Sequence, residues 1–347
     1  MSTDFPPARI GGDAFSGEAS PAEVGPSPPE DRRMRMHHPG ASAKLASLIA
    51  LLIVASCGSS SPSTSSTPAM HFPVTVTAPD GTAVTVEHQP RRIVSLSATA
   101  TEMLFAIGAG GQVTAVDDTS NYPANAPITK LSAFQPNLEA IAAYTPDLVV
   151  ASDDVGGLVH GMQALNVPIL IEPAAKTVDD SYFQIKQLGQ VTGHTSEAAS
   201  VVAKMQSQIR SFVALVGKPS RQLKVYHELD NTYYSATSAT FIGQMYKLLD
   251  VTNIADDATG GAPDYPQLSA EYIVSSNPDL IVLADTKCCN QNLNTVAARP
   301  GWSGISAVKS GQVVNVDDDI ASRWGPRLID FLQAVAPHVQ QLEKQAA

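Results

Sequence analysis

Apolar and polar positions alternate with period two along residues 74–86, "VTVTAPDGTAVTV". That pattern predicts a β-hairpin turning at Asp80-Gly81. Beyond it, short apolar runs alternate with stretches of helical period. Strands are predicted at 91–96 ("RRIVSL"), 113–118 ("VTAVDD"), 147–152 ("DLVVAS") and 168–173 ("PILIEP"), and helices at 99–107, 138–143 and 158–165. The same order then returns. Strands are predicted at 223–229, 279–285 and 312–317, helices at 237–249 and 271–275, and a closing amphipathic helix at 327–345. Strands and helices alternating at this spacing argue for βαβ units on parallel sheets. Two rounds of them predict an α/β protein of two Rossmann-like lobes with a ligand cleft between.

The lobes are joined through 177–217. Thr195 reads as an N-cap with Glu197 in the first turn. Val201, Val202, Met205, Ile209, Phe212, Val213 and Val216 then fall on one face of a helix of about six turns. One long rigid helix makes a stiff joint.

A repeat sharpens this picture. Residues 137–153 read "NLEAIAAYTPDLVVASD", and 269–286 read "SAEYIVSSNPDLIVLADT". Glu139 and Glu271 lie 132 residues apart, as do Pro146 and Pro278. The chain builds one helix-to-strand unit twice, with the same carboxylate at the same place.

The first residues carry an address. Residues 1–31 show no periodicity. A cationic stretch, "RRMRMHHPGASAK", precedes eleven mostly apolar residues at 45–55. That run is shorter than the roughly 20 residues a spanning helix needs, and it has the length of a signal-peptide core. It ends in "VASC" and a Ser/Pro-rich stretch, which resembles a bacterial lipobox with Cys57 as the lipidated residue. The predicted organisation is a leader and signal peptide at 1–56, a flexible tether at 57–71, an N-terminal lobe at 72–176, the connecting helix region at 177–217 and a C-terminal lobe at 218–347. The expected location is the outer face of the cytoplasmic membrane, held there by the lipid anchor only.

Composition narrows the function. A net charge of -11 over 347 residues, with no basic stripe after residue 60, argues against a nucleic-acid partner. Cys57 aside, the cysteines are Cys288 and Cys289, adjacent in sequence, either a vicinal disulfide or two free thiols. No C-x-x-C spacing offers a zinc site, and the histidines are scattered, so no metal site is read. G-x-S-x-G, P-loop and G-x-G-x-x-G patterns are absent from the sequence, so no catalytic residue is assigned.

"PRRIVSLSATATEMLFAIGAG", "NYP", "NLEAIAAYTPDLVV", "DYPQLSAEYIVSSNPDLIVL" and "RPGW…AVKSGQVVNVDDD" together resemble the bacterial ABC-transporter substrate-binding proteins for iron chelates and cobalamin. The resemblance covers roughly residues 70–342. It implies a monomer whose lobes clamp a metal chelate (ferric siderophore, cobalamin or haem), with no cofactor of its own. The implied partner is an ABC permease dimer with its ATPase, onto which Glu139 and Glu271 dock. In open α/β sheets ligands sit beyond the strand C-termini. By that rule and by the resemblance, Tyr122, Phe134, Tyr234 and Tyr265 are candidate aromatic walls, and Asp319, Arg323 and Trp324 candidate ligand contacts. Arg323 beside Asp319 suggests an anionic ligand. Cobalamin binders carry tryptophan where this chain has Phe134 and Tyr265, which leaves haem and siderophores open. His227 or Tyr234 would then be the haem-ligating candidate. The alternative from a different class is an envelope signalling lipoprotein that keeps the fold without transport.

Overall fold

The computed structural model describes residues 71–218, 220–258 and 264–346. The leader, the signal segment, Cys57 and residues 57–70 of the tether therefore lie outside the described residues.

The hairpin forms from β1 (Val74–Thr77) and β2 (Ala83–Val86), paired antiparallel. Asp80 Oδ1 accepts the Thr82 N–H at 2.8 Å, and Gly81, at φ +89°, supplies the left-handed turn residue.

In the N-terminal lobe, β3 (Ile93–Leu96) leads into α1 (Ala98–Ala106). Then come β4 (Val113–Val116), α2 (Leu138–Ala142), β5 (Leu148–Ala151), α3 (Leu158–Ala164) and β6 (Ile169–Ile171). The four strands are parallel, in the order β4-β3-β5-β6. All residues of β3 and β5 are buried, because helices cover both faces of the sheet, so these strands read as unbroken apolar runs.

Two helices follow, α4 (Val178–Thr192) and α5 (Thr195–Val216), where the sequence reading placed only the second. Thr177 and Asp180 form a reciprocal capping box that starts α4. Gly193, at φ +81°, ends it. The cap position of α5 is His194, not Thr195, because the tight turn leaves only Gly193 and His194 between the helices and His194 N–H returns to Gly189 O at 2.8 Å. The helices cross closely at Gly189, where a Cβ would fall 2.4 Å from the Ala198 Cβ.

The C-terminal lobe contains β7 (Lys224–Glu228), α6 (Phe241–Leu248), β8 (Thr252–Asn253), α7 (Ala270–Ser276) and β9 (Leu280–Leu283). It continues through α8 (Leu293–Ala297), α9 (Ser306–Lys309), β10 (Val313–Asn315), α10 (Asp318–Ser322) and α11 (Leu328–Ala346). Helix α6 starts later than its pattern suggested, because Thr240 is the residue whose side chain caps it, accepting from Gly243 N. The strands are again all parallel, in the order β10-β9-β7-β8.

Counted within each lobe, both sheets run second-first-third-fourth. The sequence repeat is thus a repeat of topology. Helices α2 and α7, which carry Glu139 and Glu271, both link the second strand of a lobe to its third. The main apolar core runs through both lobes, from Val76 and Leu104 through Met205 and Ile209 of α5 to Leu332 and Val339 of α11. The connecting helix is packed into that core along one face, so the joint is stiff for a reason of burial as well as of helix geometry.

Candidate functional site

The C-terminal ends of the two sheets supply the polar side chains between the lobes. After β4 the chain loops through Asp117 to Pro136 before α2. That loop exposes Tyr122 (45%), Ile128 (99%) and Phe134 (73%), an apolar lip of which the sequence reading named only the two aromatics. It is braced from below: Ser120 and Thr119 hydroxyls donate to the Asp117 carboxylate, and Thr101 Oγ1 lies 2.9 Å from Ser120 Oγ.

The opposite wall is the segment from Asp317 to Arg327. Asp317 caps α10, and the Asp318 carboxylate accepts three successive backbone N–H groups, from Thr286 (2.8 Å), Lys287 (3.0 Å) and Cys288 (2.9 Å). The loop after β9 is thereby pinned to this wall, and in it Cys288 and Cys289 are joined by a disulfide. Lys287 Nζ reaches Asp317 at 2.7 Å and Asp319 at 2.9 Å.

Arg323 crosses the cleft. It is 7% exposed, and its guanidinium donates to Glu102 Oε1 (2.8 Å), Asn121 Oδ1 (2.9 Å), Thr119 O (2.9 Å) and Asp319 Oδ1 (2.8 Å). Three of these acceptors belong to the N-terminal lobe. Four of its N–H groups are engaged by protein, so Arg323 acts as a pin between lobes and not as a free hook for ligand. Asp319 is likewise held: Asn121 Nδ2 donates to its Oδ2 at 2.9 Å. Burial works to raise the Asp319 pKa, but the bonds from Lys287 and Asn121 and the Arg323 charge outweigh it and hold the carboxyl below its usual range. Trp324 is half-buried against the main core, and its indole N–H donates to Gln184 Oε1 on α4 at 2.7 Å. Arg327 lies over the Tyr122 ring, 4.2 Å from its centroid.

The structure therefore brings Tyr122, Asp319, Arg323 and Trp324 into one assembly. The anionic ligand suggested by Arg323 loses its basis there, because Lys287, Arg323 and Arg327 are each paired with carboxylates of the wall or of α1. Tyr234 and Tyr265 form a second group in the C-terminal lobe. Tyr234 bridges to Gln267, and Ser235 N–H donates to Pro266 O at 2.9 Å, which lays the two tyrosine segments side by side. Tyr265 packs partly buried on the main core, and burial raises its pKa. His227 is removed as a haem ligand. It is 0% exposed inside β7, its Nδ1 lies 2.6 Å from Tyr246 Oη, and burial pushes its pKa down to about 3.

Glu139 and Glu271 occupy matching positions. Each is exposed, one residue into its helix after a cap, Asn137 or Ser269, whose side chain accepts the N–H three residues on. Neither carboxylate bonds to another described side chain. A common backbone frame thus presents two free acids, one per lobe. No group of three or more His, Cys, Asp or Glu placed to hold a metal occurs among the described residues.

Residues 93–320, which span both parallel four-stranded sheets and the start of this wall, match the family model described as periplasmic binding protein. The chain belongs to that family. Among curated relatives, YvrC, an uncharacterised ABC transporter substrate-binding lipoprotein of Bacillus subtilis (strain 168), is 29% identical over 304 residues, covering 84% of this chain and 94% of the relative. A cobalamin-binding protein of Halobacterium salinarum is 29% identical over 279 residues, 77% of this chain and 74% of the relative. Among solved structures, a possible iron-binding periplasmic solute-binding protein of Staphylococcus epidermidis superposes with a TM-score of 0.63 at 25% identity, covering 73% of this chain and 99% of that one.

Sequence reasoning missed several residues of this binding protein's cleft. Glu102, Thr119 and Asn121 in the N-terminal lobe, and Lys287 and Asp318 in the other, build the cross-lobe network. A second buried group lies behind it in the C-terminal lobe. Glu228, 0% exposed, takes both ends of the Arg299 guanidinium at 2.6 Å, and Arg299 packs on Trp302, 4.5 Å from its ring centroid. Burial, reinforced by the neighbouring Glu228 charge, raises the pKa of Asp285. The only sequence signal for Glu102 was an acid inside the apolar run "ATEMLFAI", which points to a buried partner without saying which.

Proposed function

We propose that this chain is the substrate-binding component of an ABC importer, exported and lipid-anchored through Cys57 on the outer face of the cytoplasmic membrane. It captures a metal chelate and presents it, as a monomer, to a permease dimer coupled to an ATPase. One observation carries the reading: a periplasmic-binding-protein chain whose two lobes share one strand order and display one unpaired glutamate each at the same topological position. A two-fold permease calls for such a surface. An envelope signalling lipoprotein has no use for it.

A corrinoid is the leading chelate. Relatives named for cobalamin support it, and so does the wall chemistry: with Lys287, Arg323 and Arg327 already paired, a ligand without net negative charge suits the cleft better than a polyanionic siderophore. Tyr122 and Phe134 on one lobe, with Tyr234 and Tyr265 on the other, offer flat faces for such a ligand.

The test is a fluorescence titration of the exported chain with cyanocobalamin, haemin and a ferric trihydroxamate. Saturable quenching by cyanocobalamin, weakened at least about tenfold by Tyr122→Ala with Phe134→Ala, is the expected result, a loss near 1.4 kcal/mol. Saturation by haemin alone would overturn the corrinoid assignment. Silence towards all three would shift the weight to the signalling reading.

A further inference from the structure

The bonds between the lobes converge on one side chain. Glu102 sits on α1 of the N-terminal lobe and is 3% exposed. Its Oε1 accepts from Arg323 Nη1 at 2.8 Å. Arg327 straddles the same carboxylate, donating from Nε to Oε2 at 2.9 Å and from Nη2 to Oε1 at 2.5 Å. Both arginines belong to the corner between α10 and α11 in the C-terminal lobe. Arg323 and Arg327 thus meet in one anion held by the other lobe, and Arg327 continues through its flat face to the Tyr122 ring. The segment they flank is seated on α4 as well, through Ser181 Oγ to Trp324 O at 2.5 Å and the Trp324 indole to Gln184.

We propose that Glu102 is a positioning residue of the cleft. It fixes the separation of the lobes, and through Arg327 it holds Tyr122 at the mouth. A carboxylate is the group this place requires. Two guanidinium groups, both largely withdrawn from water, need an anion between them. A neutral amide offers one acceptor oxygen and turns two donors toward the cations. A site held at its binding separation before ligand arrives loses less freedom on binding. The part played by Tyr122 rests on the ligand reading above. The lobe separation does not, and it can be measured without any ligand.

Trp324 reports on it. It adjoins Arg323, and the other tryptophan, Trp302, is 0% exposed inside the C-terminal lobe and serves as an internal reference. Acrylamide quenching of the full chain is compared between wild type and Glu102→Gln, at a temperature where both melt cooperatively well above the measurement. Released lobes free Trp324 from Gln184, so the expected result is a red-shifted emission with a quenching constant raised at least about twofold, while Trp302 stays protected. A carboxylate with a merely structural role would lower the melting temperature and leave the native-state quenching unchanged, and that outcome overturns the proposal. If Glu102→Gln does not fold, Arg327→Lys gives the second reading, because it keeps the charge but loses the two-point grip. The expected change is the same in kind and smaller, and unaltered quenching overturns the proposal equally. Cyanocobalamin affinity is then measured on the same variants. A loss of about tenfold is expected where that ligand binds the wild type, and an unchanged affinity in a variant with opened lobes would overturn the Tyr122 part alone.

Discussion

Glu172 directly follows β6 with 2% of its surface exposed, and no described group donates a hydrogen bond to either carboxylate oxygen. Burial raises its pKa from 4.5 to about 8. The folded chain therefore keeps this proton over a range where the unfolded chain has lost it. Stability contributed by the neutral form is fully present below about pH 4.5 and is lost as pH rises towards 8. His227 works in the opposite direction: with its pKa lowered to about 3 from 6.5, it costs stability as pH falls below 6.5. Glu172→Gln removes the first slope and leaves the second. The variant should melt with the wild type near pH 5 and increasingly above it towards pH 8, by at most about 1.4 kcal/mol per pH unit of separation. Two parallel melting profiles across that range would show that the Glu172 carboxyl finds a partner when it ionises. The strand predicted at 168–173 already contained Glu172, but its burial without a partner was invisible there, because a local pattern does not show which groups of other elements face the acid.

At the scale of elements, the crossing of α4 and α5 sets how the lobes are joined, and it depends on Gly189. A Cβ there would come 2.4 Å from the Ala198 Cβ and 3.0 Å from the His194 carbonyl oxygen, neither of which can swing aside. In an open helix, alanine for glycine is worth roughly 0.5–1 kcal/mol in favour of folding. Gly189→Ala should instead cost about 1–3 kcal/mol, since the helices must move apart. Gly161→Ala in α3 is the control: its Cβ meets the far end of the Leu138 side chain, which can rotate. Urea unfolding of both variants separates the cases, and equal midpoints would mean that the crossing yields easily. These elements also mark how far the sequence could be read. Strands such as "LVVA" and "LIVL" were legible because burial on both faces demands unbroken apolar runs. Helix α5 was legible through its one-sided stripe. Helix α4 was not, although Thr177 and Asp180 spell its capping box, because glycine at 189 lowers the apparent propensity of a helix whose packing requires it. The cross-lobe network was illegible for another reason. Glu102 lies 221 residues from Arg323 and 225 from Arg327, and no local pattern encodes a pair so far apart. The two glutamates on α2 and α7 were legible because a repeat compares the chain with itself.

At the scale of the molecule, that repeat makes a prediction about docking that neither lobe makes alone. The strand orders are the same, so the second-to-third-strand helix of each lobe presents its acid in an equivalent local frame. The acids are exposed and free of partners, so reversing them costs the fold little, and they stand on helices distinct from the loops that carry the aromatic walls. Exposed charges of this kind govern encounter and orientation more than the affinity of a separate site. Glu139→Arg and Glu271→Arg should therefore each depress uptake of the chelate by cells, to similar extents, and the double reversal should abolish it. Ligand affinity and melting temperature of the isolated variants should stay at the wild-type values. The symmetry is what the comparison tests. Strong loss from one glutamate and none from the other would mean that the permease reads a single lobe, and that the internal repeat is an inheritance of the fold with no part in docking. Unimpaired uptake by the double variant would remove the docking role altogether.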